Sequence, residues 1–168
     1  VDLKQPPSGV KFDGTPDRFT VTVTTRSPIA FFLVPFMCVW SGGSVGGIYG
    51  SQLLSGKFDP FMSLFGIPFL MGSVIFWSIA IMSIIGKVEF AVDGKQGRIF
   101  TGVGPIGYTQ RFDWADVSKI EEQTDFHSKN RTQEIVLEGR NRVKFGGWLS
   151  DERRYFVLHA LKHMKARR

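Results

Sequence analysis

Few residues in this chain have types and spacing that suggest chemistry, and each set carries a plainer alternative. Gly102-Val103-Gly104-Pro105-Ile106-Gly107 spells the dinucleotide-binding G-x-G-x-x-G. That mechanism needs a helix N-terminus after the glycines to face a pyrophosphate. Here a strand-like run follows and Pro105 interrupts, so a β-turn with glycine at positive φ is expected instead. His159 and His163 are four apart on a predicted helix, a spacing that suits a metal pair. No third ligand is evident and the Glu of zinc-protease motifs is missing, so solvated histidines are expected. His127 has no obvious partner. Asp113 and Asp116 are three apart and suit turn or strand-edge positions better than an acid pair. Asn130-Arg131-Thr132 fits the glycosylation sequon, which is silent in the cytosol. Cys38, the single cysteine, lies in an apolar stretch and reads as a small core residue. No catalytic residue, metal site or cofactor follows from these sets.

The elements that would position such residues are dominated by two uncharged stretches, Ser27 to Gly56 and Pro60 to Gly86. A bilayer core takes about 20 apolar residues. Only Lys57, Phe58 and Asp59 separate the two, so a transmembrane helical hairpin over residues 27–86 is expected. Pro35 and Pro68 fall inside the spans, and Pro60 is placed to start the second. No ionisable side chain occurs in either, which argues against a proton relay or ion path. The first stretch starts too late for a signal peptide and is followed at once by another. The chain begins at Val1, which fits either a processed end or a longer product. Gly42, Gly43, Gly46, Gly47 and Gly50 recur at helix-packing intervals in the first span. Small residues so spaced admit a close neighbour, either the second span or another copy of the chain.

The remainder, residues 1–26 and 87–168, reads as one soluble β-domain. Val10-Lys11-Phe12, a turn at Asp13 to Asp17, and the alternating Arg18 to Thr25 give two strands before the spans. After Gly86, Lys87 to Val92 alternates into the Asp93-Gly94-Lys95 turn. Further strands are expected at Arg98 to Val103, Val117 to Glu122, Gln133 to Glu138 and Arg142 to Phe145, with a polar loop at Asp125 to Arg131. Tyr108 to Phe112 leads into Asp113-Trp114-Ala115-Asp116-Val117. About five strands thus follow the spans. Ser150 is placed to cap a last helix whose first turn holds Asp151 and Glu152 and whose apolar face holds Val157, Leu158, Leu161 and Met164.

Net charge is +6, and the excess is C-terminal. Basic flanks of membrane spans mark the cytoplasmic side, which puts both termini there. Arg153, Arg154, Lys162, Lys165, Arg167 and Arg168 form the best surface candidate, for anionic lipid headgroups or a protein partner. No Lys/Arg stripe interleaved with aromatics supports nucleic acid as a partner.

About seven strands closed by a C-terminal helix is the element order of pleckstrin-homology-like domains. Gly86-Lys87, the strand pair around Asp93-Gly94, and Arg111 to Ile120 with its Trp114-x-x-Val117-x-x-Ile120 pattern carry the likeness. On these residues the chain resembles the bacterial pleckstrin-homology-like membrane proteins, in which paired spans adjoin a small β-domain. The resemblance implies an α+β protein of the bacterial inner membrane: a helical hairpin inserted after the second strand of a PH-like β-barrel or sandwich, with the last helix plugging one end. It does not carry over the phosphoinositide site of eukaryotic members, because the first hairpin holds the mixed set Lys11, Asp13, Asp17 and Arg18. The expected role is a membrane-anchored interaction, scaffold or regulatory protein and not an enzyme. Two alternatives stand beside it. One is a small packing subunit or homo-oligomer of a membrane complex. The other is an enzyme on a lipid-linked substrate, for which Glu89, near Lys87 and Arg26, is the only nearby acid.

Overall fold

Strict alternation of β-branched or aromatic with polar residues turns Arg18–Thr24 into β2, because successive side chains on a strand point to opposite faces. Phe19, Val21 and Val23 face the core, and Val88, Phe90 and Val92 do the same on β3 (Lys87–Asp93). The structure, a computed structural model, describes residue 3, residues 5–125 and residues 132–167. It divides into two compact units, one of residues 1–25 with 85–168 and one of residues 26–84.

The first unit is α+β. β1 (Val10–Thr15), β2, β3, β4 (Gln96–Val103) and β5 (Ile106–Asp113) form a five-stranded antiparallel meander. β6 (Lys119–Asp125), β7 (Thr132–Glu138) and β8 (Val143–Phe145) form a second, three-stranded sheet. A C-terminal helix (Asp151–Ala166) packs on β6 and β7. The sheets are separate and no barrel closes among the described residues, which corrects the barrel alternative. Among the described residues, six strands follow the hairpin where about five are expected. β5 is the least legible of them, since most of its residues are exposed and no buried alternation marks it. The first strand also continues through Thr15, so its turn narrows to Pro16-Asp17. Gly14 makes that possible: it lies at φ +125 and a β-carbon there would sit 2.2 Å from the Arg18 carbonyl oxygen.

β2 and β3 pair directly although some 60 residues lie between them: Thr24 is opposite Lys87 and Phe19 opposite Val92. The Thr25 amide donates to the Gly86 carbonyl at 2.9 Å and closes the gap. The inserted segment therefore occupies the place of a hairpin turn.

The core gathers the inner faces of both sheets and the buried face of the last helix. Trp114 is at its centre, fully buried, with the rings of Phe19 and Phe90 each 5.7 Å away edge to face. Val117 and Ile120 are buried beside it, so the W-x-x-V-x-x-I run is a set of packing positions. Ser150 stands at the helix's N-cap position in extended conformation, but its hydroxyl makes no capping bond. Arg154 instead ties the start of the helix to β6 and β7 by donating to Glu122 and Gln133.

The second unit holds two helices of 26 residues. α1 (Ala30–Ser55) is α-helical to Ser41, a π-helix over Gly42–Gly50, and α-helical again from Ser51. The π segment coincides with the glycine cluster, whose missing side chains remove the crowding that a wider turn would otherwise create. α2 (Pro60–Ile85) starts at Pro60, where Asp59 caps it by accepting from the Phe61 and Met62 amides. The C-terminal helix of the first unit is α3.

The expected packing role of the first-span glycines is not what this hairpin uses. A β-carbon built on Gly42, Gly43, Gly46, Gly47 or Gly50 meets nothing within 4 Å. The close approaches are on α2, where Tyr49 covers Gly66 and Trp40 covers Gly72. Buried Gly66, Ser73 and Ala80 recur every seven residues, the spacing of a helix-packing seam. Large side chains on α1 thus fill hollows made by small residues on α2. Gly66→Leu is expected to evict Tyr49, break its 2.8 Å hydrogen bond to the Ser63 carbonyl and cost the hairpin about 1–2 kcal/mol by overpacking. Titration with SDS, followed by circular dichroism, should show the loss at a lower SDS fraction. Gly46→Ala should leave that midpoint in place.

Candidate functional site

The residues singled out by their chemistry disperse in the fold. Gly102 and Gly107 are cross-strand partners at the β4–β5 turn. A β-carbon on Gly102 would lie 2.2 Å from the Ile106 carbonyl oxygen, and Gly104 sits at φ +56. These glycines serve a tight hairpin, and a strand follows them where a nucleotide would need a helix. Asp113 accepts from the Ala115 amide in a turn, and Asp116 faces Arg140 at 3.7 Å. Glu89 is held by Lys87 at 3.0 Å and Arg98 at 2.6 Å on an outer strand face. His159 lies against Tyr155 and contacts its carbonyl at 2.9 Å, while His163 is exposed. Among the described residues, no three His, Cys, Asp or Glu side chains converge as a metal site. Cys38 is exposed on α1. His127, Asn130 and Arg131 lie outside the described residues.

The basic C-terminal set is not one patch. Arg154 is buried, with 4% of its surface exposed. It donates to Glu122 and Gln133 at 2.6 Å, to the Leu149 carbonyl at 3.0 Å, and to Asp151. Arg153 donates to the carbonyls of Ser8 and Thr24. Lys165 caps the Trp114 carbonyl at 2.7 Å and lies over the indole ring. Only Lys162 and Arg167 remain as exposed cations of that set, and Arg168 lies outside the described residues. Helix spacing alone makes these six look like a single face. The burial of α3 on the sheets decides which of them become internal ties.

Titration shifts also mark structure. Glu121 is held below the usual carboxylate range by the hydrogen bond from Lys119 and then by that from Gln123, and Lys119 is raised by the same bond. The pair is a 2.6 Å contact on the surface of β6. Surface pairs of this kind contribute little.

A cleft of about 620 Å³ opens in the first unit, between the two sheets. Thr101 of β4 and Tyr108 and Gln110 of β5 line one side. Glu134 of β7, Lys144 of β8 and the Gly146-Gly147-Trp148 segment line the other. The register places Tyr108 opposite Thr101 and Gln110 opposite Ile99. Their side chains share the inner face with Val88 and Ile99. The smaller sheet covers the rest of that face but leaves this corner open. Tyr108 is 67% and Trp148 52% exposed. Among the described residues, no side-chain hydrogen bond or ion pair engages Thr101, Tyr108, Gln110, Glu134, Lys144 or Trp148. A pocket with aromatic walls and a few unengaged polar groups has the general make-up of a binding site.

None of these cleft residues stands out in the sequence by spacing. The available signals were weak: Tyr108 in a run without buried alternation, and an aromatic directly after paired glycines. Gly146 lies at φ +89 and turns the chain so that Trp148 projects at the cleft.

Fold and cleft together define a class: an α+β chain of two antiparallel sheets with a two-helix apolar insertion and an open inter-sheet cleft. No family model, curated protein or solved structure matches the chain.

Proposed function

We propose that this chain is a membrane-anchored interaction protein without catalytic activity. In this role α1 and α2 cross a bilayer as a hairpin, and a PH-like β-domain engages a partner on the cytoplasmic face. The observation that carries the proposal is the apolar surface that the hairpin leaves uncovered. Phe31 is 88% and Leu54 91% exposed, and most large apolar residues of both helices are exposed with them. A helix of 26 residues spans about 39 Å at 1.5 Å per residue, more than the roughly 30 Å of a bilayer core. Core helices of a water-soluble protein bury such a surface, and contiguous exposed patches of this size mark membrane or protein contact. Arg26 and Lys87 flank the hairpin, while Lys57 at its turn is offset by Asp59. That balance favours the ends over the turn for the cytoplasmic side. Two sheets with a C-terminal helix packed on them are consistent with the PH-like resemblance, which supplies no ligand by itself.

The full chain is expected to float with neutral phosphatidylcholine vesicles in a density gradient and to stay with them in alkaline carbonate. External trypsin should cut the β-domain in inverted membrane vesicles and spare it in intact spheroplasts. A chain that stays monodisperse in buffer without any amphiphile would overturn the proposal.

A second role, as a subunit packed against another copy or another membrane protein, is favoured by one observation. The five glycines of the π segment face open space, where a neighbouring helix backbone can approach. Gly46→Leu should then lower the native mass in mild detergent; an unchanged mass removes this role.

A further inference from the structure

We propose that β5 is a docking edge, to which an extended segment of a protein partner adds as a sixth strand while laying alternate side chains into the inter-sheet cleft. The inference rests on the interaction role proposed above and names the chemistry of the partner.

Among the described residues, β5 ends the five-stranded sheet and pairs only with β4. Its eight residues run about 27 Å at 3.4 Å each. An edge of that length presents a row of N–H and C=O groups ready to pair with another strand. Proteins usually blunt such edges with proline, charge, a bulge or brevity. β8, the facing edge of the small sheet, is blunted by having only three residues. β5 is not blunted along its first half: Ile106 is 80% exposed, Gly107, Tyr108 and Thr109 follow, and charge begins only at Arg111.

Ile106, Tyr108 and Gln110 point to the inner face, so a strand added beside β5 would direct every second residue toward the same side. There it would meet the cleft, with Tyr108 on one sheet and Trp148 beyond β8 as aromatic walls. Lys144 and Glu134 alternate with the buried Phe145 and Ile135, so they stand at the rim of the cleft, with opposite charges and, among the described residues, no ion-pair partner. A segment bearing one acid and one base complements both. A small molecule would leave the edge unpaired. A second copy of β5 would satisfy the edge but brings its acid and its base only at one end, two residues apart, on Arg111 and Asp113. An extended peptide with alternating apolar residues and mixed charge satisfies edge, walls and charges together, in the manner of strand addition.

The test is selection of a displayed library of random dodecapeptides on the full chain in mild detergent. The expected outcome is a consensus with apolar residues at every second position. The synthetic consensus peptide should slow amide hydrogen exchange in β5 and leave β1 unchanged. Tyr108→Ala and Trp148→Ala should each weaken its binding about tenfold or more, as central aromatic contacts do. Both side chains are largely exposed, so the fold should survive, and an unchanged melting temperature would confirm it. Lys144→Glu should shift the selected consensus from an acid to a base at one position. Three results would overturn the proposal: no consensus, a consensus whose binding leaves β5 exchange unaltered, or β5 amides protected in a concentration-dependent way without peptide. The last would assign the edge to a second copy. Vesicle flotation is scored separately, so failure of membrane anchoring and failure of strand addition give different results.

Discussion

Trp114→Ala is expected to lower the melting temperature of the β-domain by about 20 °C, the largest effect of any single substitution predicted for this chain. The indole is fully buried and contacts Phe19, Phe90 and Phe112 edge to face at 5.7, 5.7 and 6.4 Å. It joins strands of the first sheet to the segment that leads into the second. Removing a buried Trp costs about 3–5 kcal/mol through lost transfer energy and the cavity left behind. Each well-oriented aromatic pair adds roughly 0.5–1.5 kcal/mol. A domain has only about 5–15 kcal/mol in total, and at this size 1 kcal/mol moves the midpoint by about 4–5 °C. Trp114→Phe should cost far less. Among the described residues the buried indole N–H has no partner, so phenylalanine removes that donor together with part of the ring. Thermal scans of the detergent-solubilised chain, followed by near-ultraviolet circular dichroism, check both. A fall below about 5 °C for the alanine variant would show that the core is organised around something else.

Arg154→Ala is expected to cost about 2–3 kcal/mol, or roughly 10 °C. Its fork ties Glu122 of β6, Gln133 of β7, Asp151 at the start of α3 and the Leu149 carbonyl into one knot. Removing one partner of a buried ionic network strips the others of their bonds, typically at 3–5 kcal/mol. Here the figure falls below that range, because the Glu122 side chain is about one third exposed and water can take it back. Arg154→Lys keeps the charge but loses the planar fork, so it should recover only part of the loss. The same thermal scan reads both. A neutral result for Arg154→Ala would mean that α3 docks by its apolar face alone.

These two residues also show how far the sequence reaches. Trp114, Val117 and Ile120 are legible as packing positions, because their spacing reflects which residues must leave water. Arg154 is not. It sits beside Arg153 in a basic helix and reads as surface, and only the docking of α3 on the second sheet buries it. Ser150 marks the helix start by its type, yet its hydroxyl makes no capping bond and the anchoring falls to Arg154. In the hairpin the glycine cluster of the first span draws the eye, while the contacts run through Gly66, Ser73 and Ala80. Those small residues recur every seven positions, and which of the two helices supplies the hollows depends on where Trp40 and Tyr49 turn.

The candidate cleft was the least legible part. Tyr108, Gln110, Lys144 and Trp148 come from two strands and a turn that meet only because the smaller sheet stops short of covering the larger. No local pattern encodes that gap.

What the chain's own residues determined is local: two long uncharged helices, alternating strands on both sides of them, and a last amphipathic helix. Hydrophobic periodicity and the absence of charge act over a few residues and need no partner to be read. The pairing of β2 with β3 follows from reading the hairpin as inserted after the second strand. Tertiary structure alone decided that the sheets stay open, that the basic residues divide into internal ties and surface, and that the β5 edge stands beside the inter-sheet cleft. Those outcomes depend on contacts between residues far apart in the chain, whose energies are set by what ends up next to what.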